Sequence, residues 1–264
     1  MFEILSYPFM QRAFIGGLLV GYLASYYGVF IVQRGLSFLG SGLAHAAFGG
    51  VAIGILLQTE PLWVSLPFTI LVAIGITWIK EHTRLGGDTA IGIFFSVSMA
   101  LGIIILSLQH TYSTSALTYL FGSILAVTWL DIIISGLMVL LSAALWPLWR
   151  RWAYSSFDQE LAISDHLPVH RDDYILSILI AVTVVVAMKM VGIVLVAAFL
   201  VIPAAAARIL SHTFRHMTLI SIAIGVLSAF IGLYVSYFLD IPSGPAIILV
   251  QAGAFILALV VKQK

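Results

Sequence analysis

The chemistry available to this chain begins with His45 and Ser41, which stand in the run Gln33-Arg34-Gly35-Leu36-Ser37-Phe38-Leu39-Gly40-Ser41-Gly42-Leu43-Ala44-His45-Ala46-Ala47-Phe48-Gly49-Gly50. In a helix, residues four apart share a face, so the hydroxyl and the imidazole meet. An ionisable side chain is costly inside a bilayer, so His45 is a functional candidate by default, and with Ser41 beside it the two could serve as nucleophile and base. His45 can equally be no more than a hydrogen-bonded contact between helices. The sequence has no cysteine, so disulfides, thiolate ligands and lipid-bearing cysteines are excluded. A metal would have to be held by histidine, carboxylate or backbone oxygen.

The remaining polar residues are scattered. Asp88 precedes an apolar run, where its carboxylate can cap a helix through free backbone N–H groups or contact a metal directly; the cap is the simpler use. Asp240 lies beside Pro242, Ser243, Gly244 and Pro245, where it can attract a cation or anchor the turn. Asp131 reads as interfacial, and Lys189 as a side chain that snorkels to the outer surface. His212 and His216 are four apart and could share a metal ion, but no third ligand is evident. His166 and His170 flank Pro168 and read as a solvated loop. His82 sits in a basic loop and His110 at an outer helix end, and neither position assigns a use.

The elements that must position these groups follow from composition. The 264 residues are 62% hydrophobic and 9% charged, against about 25% charged in an ordinary soluble domain. A bilayer accommodates that apolar surface, since a spanning helix needs about 20 apolar residues. Dividing the runs at charges, glycines and prolines predicts an all-α polytopic bundle of eight to nine transmembrane spans: 11–32, 38–57, 62–79, 89–108, 128–148, 174–190, 191–207, 217–238 and 245–261. The count is eight if the sixth and seventh form one broken element. The short apolar stretch 115–127 is re-entrant or extends the fifth span.

Basic residues orient the bundle. Arg34, Lys80 with Arg84, Arg150, Arg151 and Arg171, Arg208 with Arg215, and Lys262 with Lys264 fall in alternate loops, which are predicted to be cytoplasmic. The opposite loops, 58–61, 109–117 and 239–245, are short and nearly free of basic residues; Arg12 and Lys189 are the exceptions. That pattern places the N-terminus outside and the C-terminus inside. The first residues, with Glu3 and Pro8, lack the basic start and small-residue cleavage site of a signal peptide and read as leading into a mature first helix. One membrane domain, 1–264, accounts for the length, with its main cytoplasmic loop at about 149–173. A net charge of +1 without a basic patch argues against nucleic-acid binding and leaves membrane lipid as the surrounding partner. No G-x-x-x-x-G-K-[ST] occurs, so any ATP hydrolysis is expected in another chain.

The run Arg34 to Gly50 resembles the signature of the ABC metal-ion permease family, importers of zinc, manganese or iron, which reads R-R-x-S-x-x-G-D-x-x-x-H-A with a glycine soon after. Arg34, Ser37, Gly40, His45, Ala46 and Gly50 match. Further stretches resemble the family in its order: Asp88 to Ile93, Leu120 to Val127, Met188 to Gly192, Ile202 to Arg208 and Leu239 to Pro245. Ser41 departs from the pattern, standing where the family usually has aspartate.

The resemblance implies the permease subunit of an ATP-driven importer of a divalent transition metal, zinc first, then manganese or iron. It implies a homodimer in the prokaryotic cytoplasmic membrane, working with separate ABC ATPase subunits and an extracytoplasmic metal-binding protein. The metal is cargo, and no permanently bound cofactor is expected. Metal contacts would come from His45, Ser41, Asp88 and Asp240. ATPase coupling would fall to the region 203–217, with Pro203, Arg208, His212 and Arg215. A secondary metal carrier is the alternative, although the chain is poor in the membrane carboxylates that would carry a coupling ion. An intramembrane serine protease using Ser37 or Ser41 with His45 is the remote one, because a nucleophile and base one turn apart form a poor relay.

Overall fold

The computed structural model describes residues 7–108, Gly122 and 127–262. The outer loop 109–117 with His110, most of 115–127, Glu3 and Lys264 lie outside the described residues. The described elements are all helical: α1 Pro8–Gln33, α2 Leu39–Leu56, α3 Pro61–His82, α4 Gly87–Ser107, α5 Trp129–Ala144, α6 Trp146–Phe157, α7 Gln159–Ser164, α8 Val169–Val191, α9 Ile193–Leu210, α10 Phe214–Leu239 and α11 Ser243–Lys262. Proline opens α1, α3 and α6 at the first turn, where its missing N–H would have had no partner anyway.

The chain reverses at residues suited to reversal. Gly35, at φ +70, closes α1 with Leu36 N–H donating to Ile31 O at 3.0 Å. This left-handed cap turns the chain into α2 within five residues. Gly192, at φ 96 and ψ 150, separates α8 from α9. Asp240 ends α10 in the left-handed conformation.

Helix α1 forms the centre, with 78% of its apolar window buried, whereas the windows of α4 and α11 are 22% buried and face outward. Lipid gives helices no hydrophobic reason to associate, so close approach of small residues does that work. A Cβ at Gly28 would strike the carbonyl of Leu200, and one at Gly21 would lie 2.9 Å from the oxygen of Gly225, so these glycines let α9 and α10 press against α1.

The charged side chains sort into two ends. At one, Arg34 pairs with Asp173 at 2.7 Å, Lys80 approaches the same carboxylate at 3.9 Å, and Arg151 pairs with Asp172. At the other, Lys189 pairs with Asp131 at 2.9 Å and Glu60 at 3.7 Å. The first end holds residues the basic pattern assigns to the cytoplasm. Helix α8 runs antiparallel to α1, since Asp173 meets Arg34 while Met190 meets Gly16. Helix α9 turns back parallel to α1, with Leu200 against Gly28 and Arg208 donating to Val32 O at 3.1 Å.

Seven described helices are long and apolar enough to cross a bilayer, and the bent pair α5–α6 makes eight. The chain is a multi-pass membrane protein. The predicted seventh span, 191–207, corresponds to α9, whose described apolar part Leu195–Leu210 is shorter than a typical span.

Three expectations take a more specific form in the structure. The fifth span, 128–148, is not one straight helix: it bends by 74° between α5 and α6, where Pro147 cannot continue the hydrogen-bond ladder. The loop 149–173 is largely helical, made of most of α6, all of α7 and the first turn of α8. Lys189 does not simply snorkel: it pairs with Asp131, whose carboxylate is buried in the first turn of α5.

Candidate functional site

Ser41 and His45 occupy the first two turns of α2, two half-buried positions on one side of an otherwise closely packed helix. Helix α4 supports that segment from alongside. Ile91 fills the space over Gly42, and a Cβ at Gly49 would lie 2.9 Å from Ser98 O. The Phe95 ring stands edge-on to the imidazole at a centroid distance of 4.8 Å.

The imidazole is held through Nδ1. Its Nδ1 lies 2.8 Å from the main-chain oxygen of Ser41 and 3.5 Å from the Ser41 hydroxyl. A carbonyl oxygen only accepts, so the closer contact requires the proton on Nδ1. Neutral His45 then carries its lone pair on Nε2, which makes no hydrogen bond to any described residue. A ring nitrogen held by the backbone while the other remains free is the arrangement in which histidine ligates metals. The same contact opposes a serine-protease relay, because a protonated Nδ1 cannot take the proton of Ser41; Ser37 lies exposed in the turn before the helix.

The other predicted metal contacts are not brought to this point. Asp88 stands in the first turn of α4, seven residues before Phe95, roughly 10 Å along the axis. It is exposed, and Gly86 rather than Asp88 takes the N-cap, so the carboxylate serves the helix end through its charge and not as the cap. Asp240 is exposed in the turn after α10, where its N–H donates to Ser236 O and the Ser236 hydroxyl donates to Ile241 O at 2.6 Å. Among the described residues no three of His, Asp and Glu gather closely enough to hold a metal ion.

The predicted coupling region divides. Pro203 lies buried inside α9, two turns before its end. Arg208, His212, Arg215 and His216 are exposed. Thr213 caps α10, its hydroxyl accepting from His216 N–H at 3.3 Å, so His212 precedes the helix and the four-residue spacing does not put the two histidines on one helical face. Between these exposed residues Phe214 turns inward.

Two polar clusters escape the sequence reading. The guanidinium of Arg34 donates through Nη1 to Asp173 at 2.7 Å, through Nε to the Ser156 hydroxyl at 2.9 Å and through Nη2 to the Ser155 hydroxyl at 3.2 Å. Arg151 forks onto Asp172 at 3.0 and 2.5 Å. A cavity of about 150 Å³ beside them is lined by Thr77, Lys80, Glu81, Gln159, His170 and Asp173, and His170 bonds Glu81 rather than standing in a free loop. The second cluster joins Lys189, Asp131 and Glu60, with Thr128 and Asp131 forming a reciprocal helix cap. The spacing of Thr128 and Asp131 is a legible signal for that cap.

Comparison with known proteins agrees with this layout over nearly the whole chain. The model of the ABC 3 transport family matches residues 6–262. The manganese transport system membrane protein MntC of Listeria innocua is 37% identical over 97% of this chain and 91% of its own length. The high-affinity zinc uptake system membrane protein ZnuB of Haemophilus influenzae is 32% identical, with both chains covered in full. A chain of the solved structure of PsaBC from Streptococcus pneumoniae in complex with Fab superposes with a TM-score of 0.85 at 33% identity, covering 97% of this chain and 92% of that one. The chain therefore belongs to the ABC 3 transport family.

Proposed function

We propose that this protein is the membrane-spanning subunit of an ATP-driven importer, and that its cargo is a divalent first-row transition metal ion. The observation that carries the cargo assignment is the free Nε2 of His45, held on a half-open face inside a transmembrane helix. A histidine open to hydrocarbon is unfavourable, whereas one lining a polar path between helices is the usual functional arrangement. A homodimer built on the α2 side would place two such imidazoles along one path, and Ser41 would add a hydroxyl where the family signature has a carboxylate. Relatives named for manganese and for zinc transport support the metal class without choosing within it. Imidazole suits zinc and iron, and hard oxygen ligands suit manganese.

The chain contains no phosphate-binding loop, which supports a separate ATPase pair docking at the exposed Arg208, His212 and Arg215. An extracytoplasmic metal-binding protein would deliver the ion, with Asp240 at the receiving mouth. The whole chain acts as one permease domain. A gradient-driven carrier has less support, because the buried carboxylates among the described residues are committed to cations: Asp131 to Lys189, Asp172 to Arg151 and Asp173 to Arg34.

The test is uptake of zinc, manganese and iron into vesicles holding this chain with its ATPase and binding protein. ATP-dependent uptake is expected, with His45→Ala lowering it by about tenfold or more at unchanged assembly, as loss of a ligand requires. Uptake without the ATPase would transfer the protein to the carrier class. Normal uptake by His45→Ala would remove that residue from the path.

A further inference from the structure

The buried anchor at the start of α10 and the arginine hub at the start of α2 belong to one packed block. Phe214 interrupts the exposed sequence His212, Thr213, Arg215 and His216, and its ring lies 5.3 Å from Phe30, 5.5 Å from Trp149 and 5.7 Å from Phe157. Phe30 in turn stands edge-on to Trp152 at 6.0 Å, and Trp152 is fully buried. The next turn of α6 presents Ser155 and Ser156, both donating back to Trp152 O at 3.2 and 2.6 Å and both accepting from Arg34. Arg34 is the C-cap of α1, five residues before α2 begins, and the corner is closed by Leu36 N–H on Ile31 O and Leu39 N–H on Leu36 O.

We propose that Phe214, the aromatic face of α6 and the Arg34 fork form a mechanical relay that carries movement of the Ser211–His216 turn into the N-terminal end of α2, and so to His45. The proposal rests on the importer reading for the identity of what pushes on the turn and what moves at His45.

The physical basis is stiffness. The ring of Phe214 is wedged between Phe30, Trp149 and Phe157, edge-on to Phe157 and tilted to the other two, and so connects the exposed turn to α6 and α1 at once. Arg34 then fixes α6 to the α1–α2 corner and, through Asp173, to α8. Its planar fork satisfies three acceptors in a fixed geometry, which lysine cannot reproduce. Helix α6 is suited to act as a lever because it leaves the axis of α5 by 74° at Pro147 and so crosses the helix ends instead of running beside them. A second strap, Arg151 on Asp172, holds the same lever to the first turn of α8. Helix α2 is the natural output: His45 lies within two turns of its start, and α4 is packed closely enough on it, with Ile91 over Gly42 and the Phe95 ring against the imidazole, for the two to move together.

The absence of native cysteine permits clean labelling. Spin labels at Phe38→Cys, 68% exposed at the start of α2, and Phe238→Cys, 59% exposed at the far end of α10, report the position of the α2 corner. The distance is measured in the chain assembled with its ATPase, with and without Mg-ATP, in parallel with ATP hydrolysis and with zinc, manganese and iron uptake. The Ser155→Ala/Ser156→Ala variant removes two hydroxyls and preserves the Arg34–Asp173 pair, so folding is retained; Phe214→Ala removes the input.

The relay predicts an ATP-driven distance change in the parent that falls by about half or more in both variants, while uptake per ATP falls about fivefold or more, the lower range of coupling between sites. Arg34→Lys is expected to behave as the serine variant does. A full distance change in the assembled serine variant, or none in the parent, overturns the relay. A normal ATP-driven change in the parent that is lost in the variants, without uptake of any of the three metals, upholds the relay and overturns the cargo assignment.

Discussion

Replacing Lys189 by methionine tests how the far end of the bundle is held together. The ammonium lies 2.9 Å from Asp131 Oδ1, and the Asp131 side chain is 4% exposed. Removing one member of a buried pair leaves an uncompensated charge and typically costs about 3–5 kcal/mol. Asp131 Oδ2 would keep its bonds from Thr128 N–H at 2.9 Å and Thr128 Oγ1 at 2.7 Å, which places the expected loss near the lower end, about 3 kcal/mol. For a chain of this size that corresponds to a fall of roughly 6–12 °C in the unfolding midpoint. Tryptophan fluorescence of protein in lipid nanodiscs during heating gives the midpoint. Adding Asp131→Asn removes the stranded charge, and the double variant is expected to recover to within about 1 kcal/mol of the parent. A fall below about 2 °C for Lys189→Met, or no recovery in the double variant, would refute the claim that this pair is buried and mutually dependent.

Further outcomes follow from single positions. Gly192→Ala places a Cβ at φ 96 and ψ 150, a region essentially reserved for glycine, and should destabilise the chain by about 1–3 kcal/mol in the same thermal assay. The matched control Gly136→Ala, in a helix and with open space around its Cβ, should be neutral or stabilising by up to about 1 kcal/mol. Ser41→Asp adds a carboxylate one turn from His45 and should shift competitive uptake toward manganese over zinc by on the order of fivefold, about 1 kcal/mol of differential binding; an unchanged ratio would detach Ser41 from metal choice.

The helices were legible because a membrane imposes an unusually strict code. Every backbone polar group must be satisfied within a helix, so long apolar runs can be little else, and the alternating basic residues reveal which ends lie together. His45 stood out for the same reason: an ionisable side chain in such a run is costly, although spacing alone left a packing role equally open. The bend at Pro147 was also present in the sequence, but the apolar run continuing through Trp149 obscured it.

Local sequence could not reveal which distant groups meet. Asp131 with Lys189, and Asp173 with Arg34, are separated by 58 and 139 residues, and their pairing depends on the order in which helices stack. Nor could spacing decide between the hydroxyl and the carbonyl of Ser41 as the partner of His45, since both lie one turn away. The i,i+4 spacing of His212 and His216 suggested a shared face that the cap at Thr213 removes. Composition and charge order thus determined that the chain is a membrane bundle and how its ends alternate. Tertiary packing decided which charges are buried and paired, which nitrogen of His45 is free, and that Phe214 and Arg34 share one block, because those outcomes depend on contacts between helices remote in the chain.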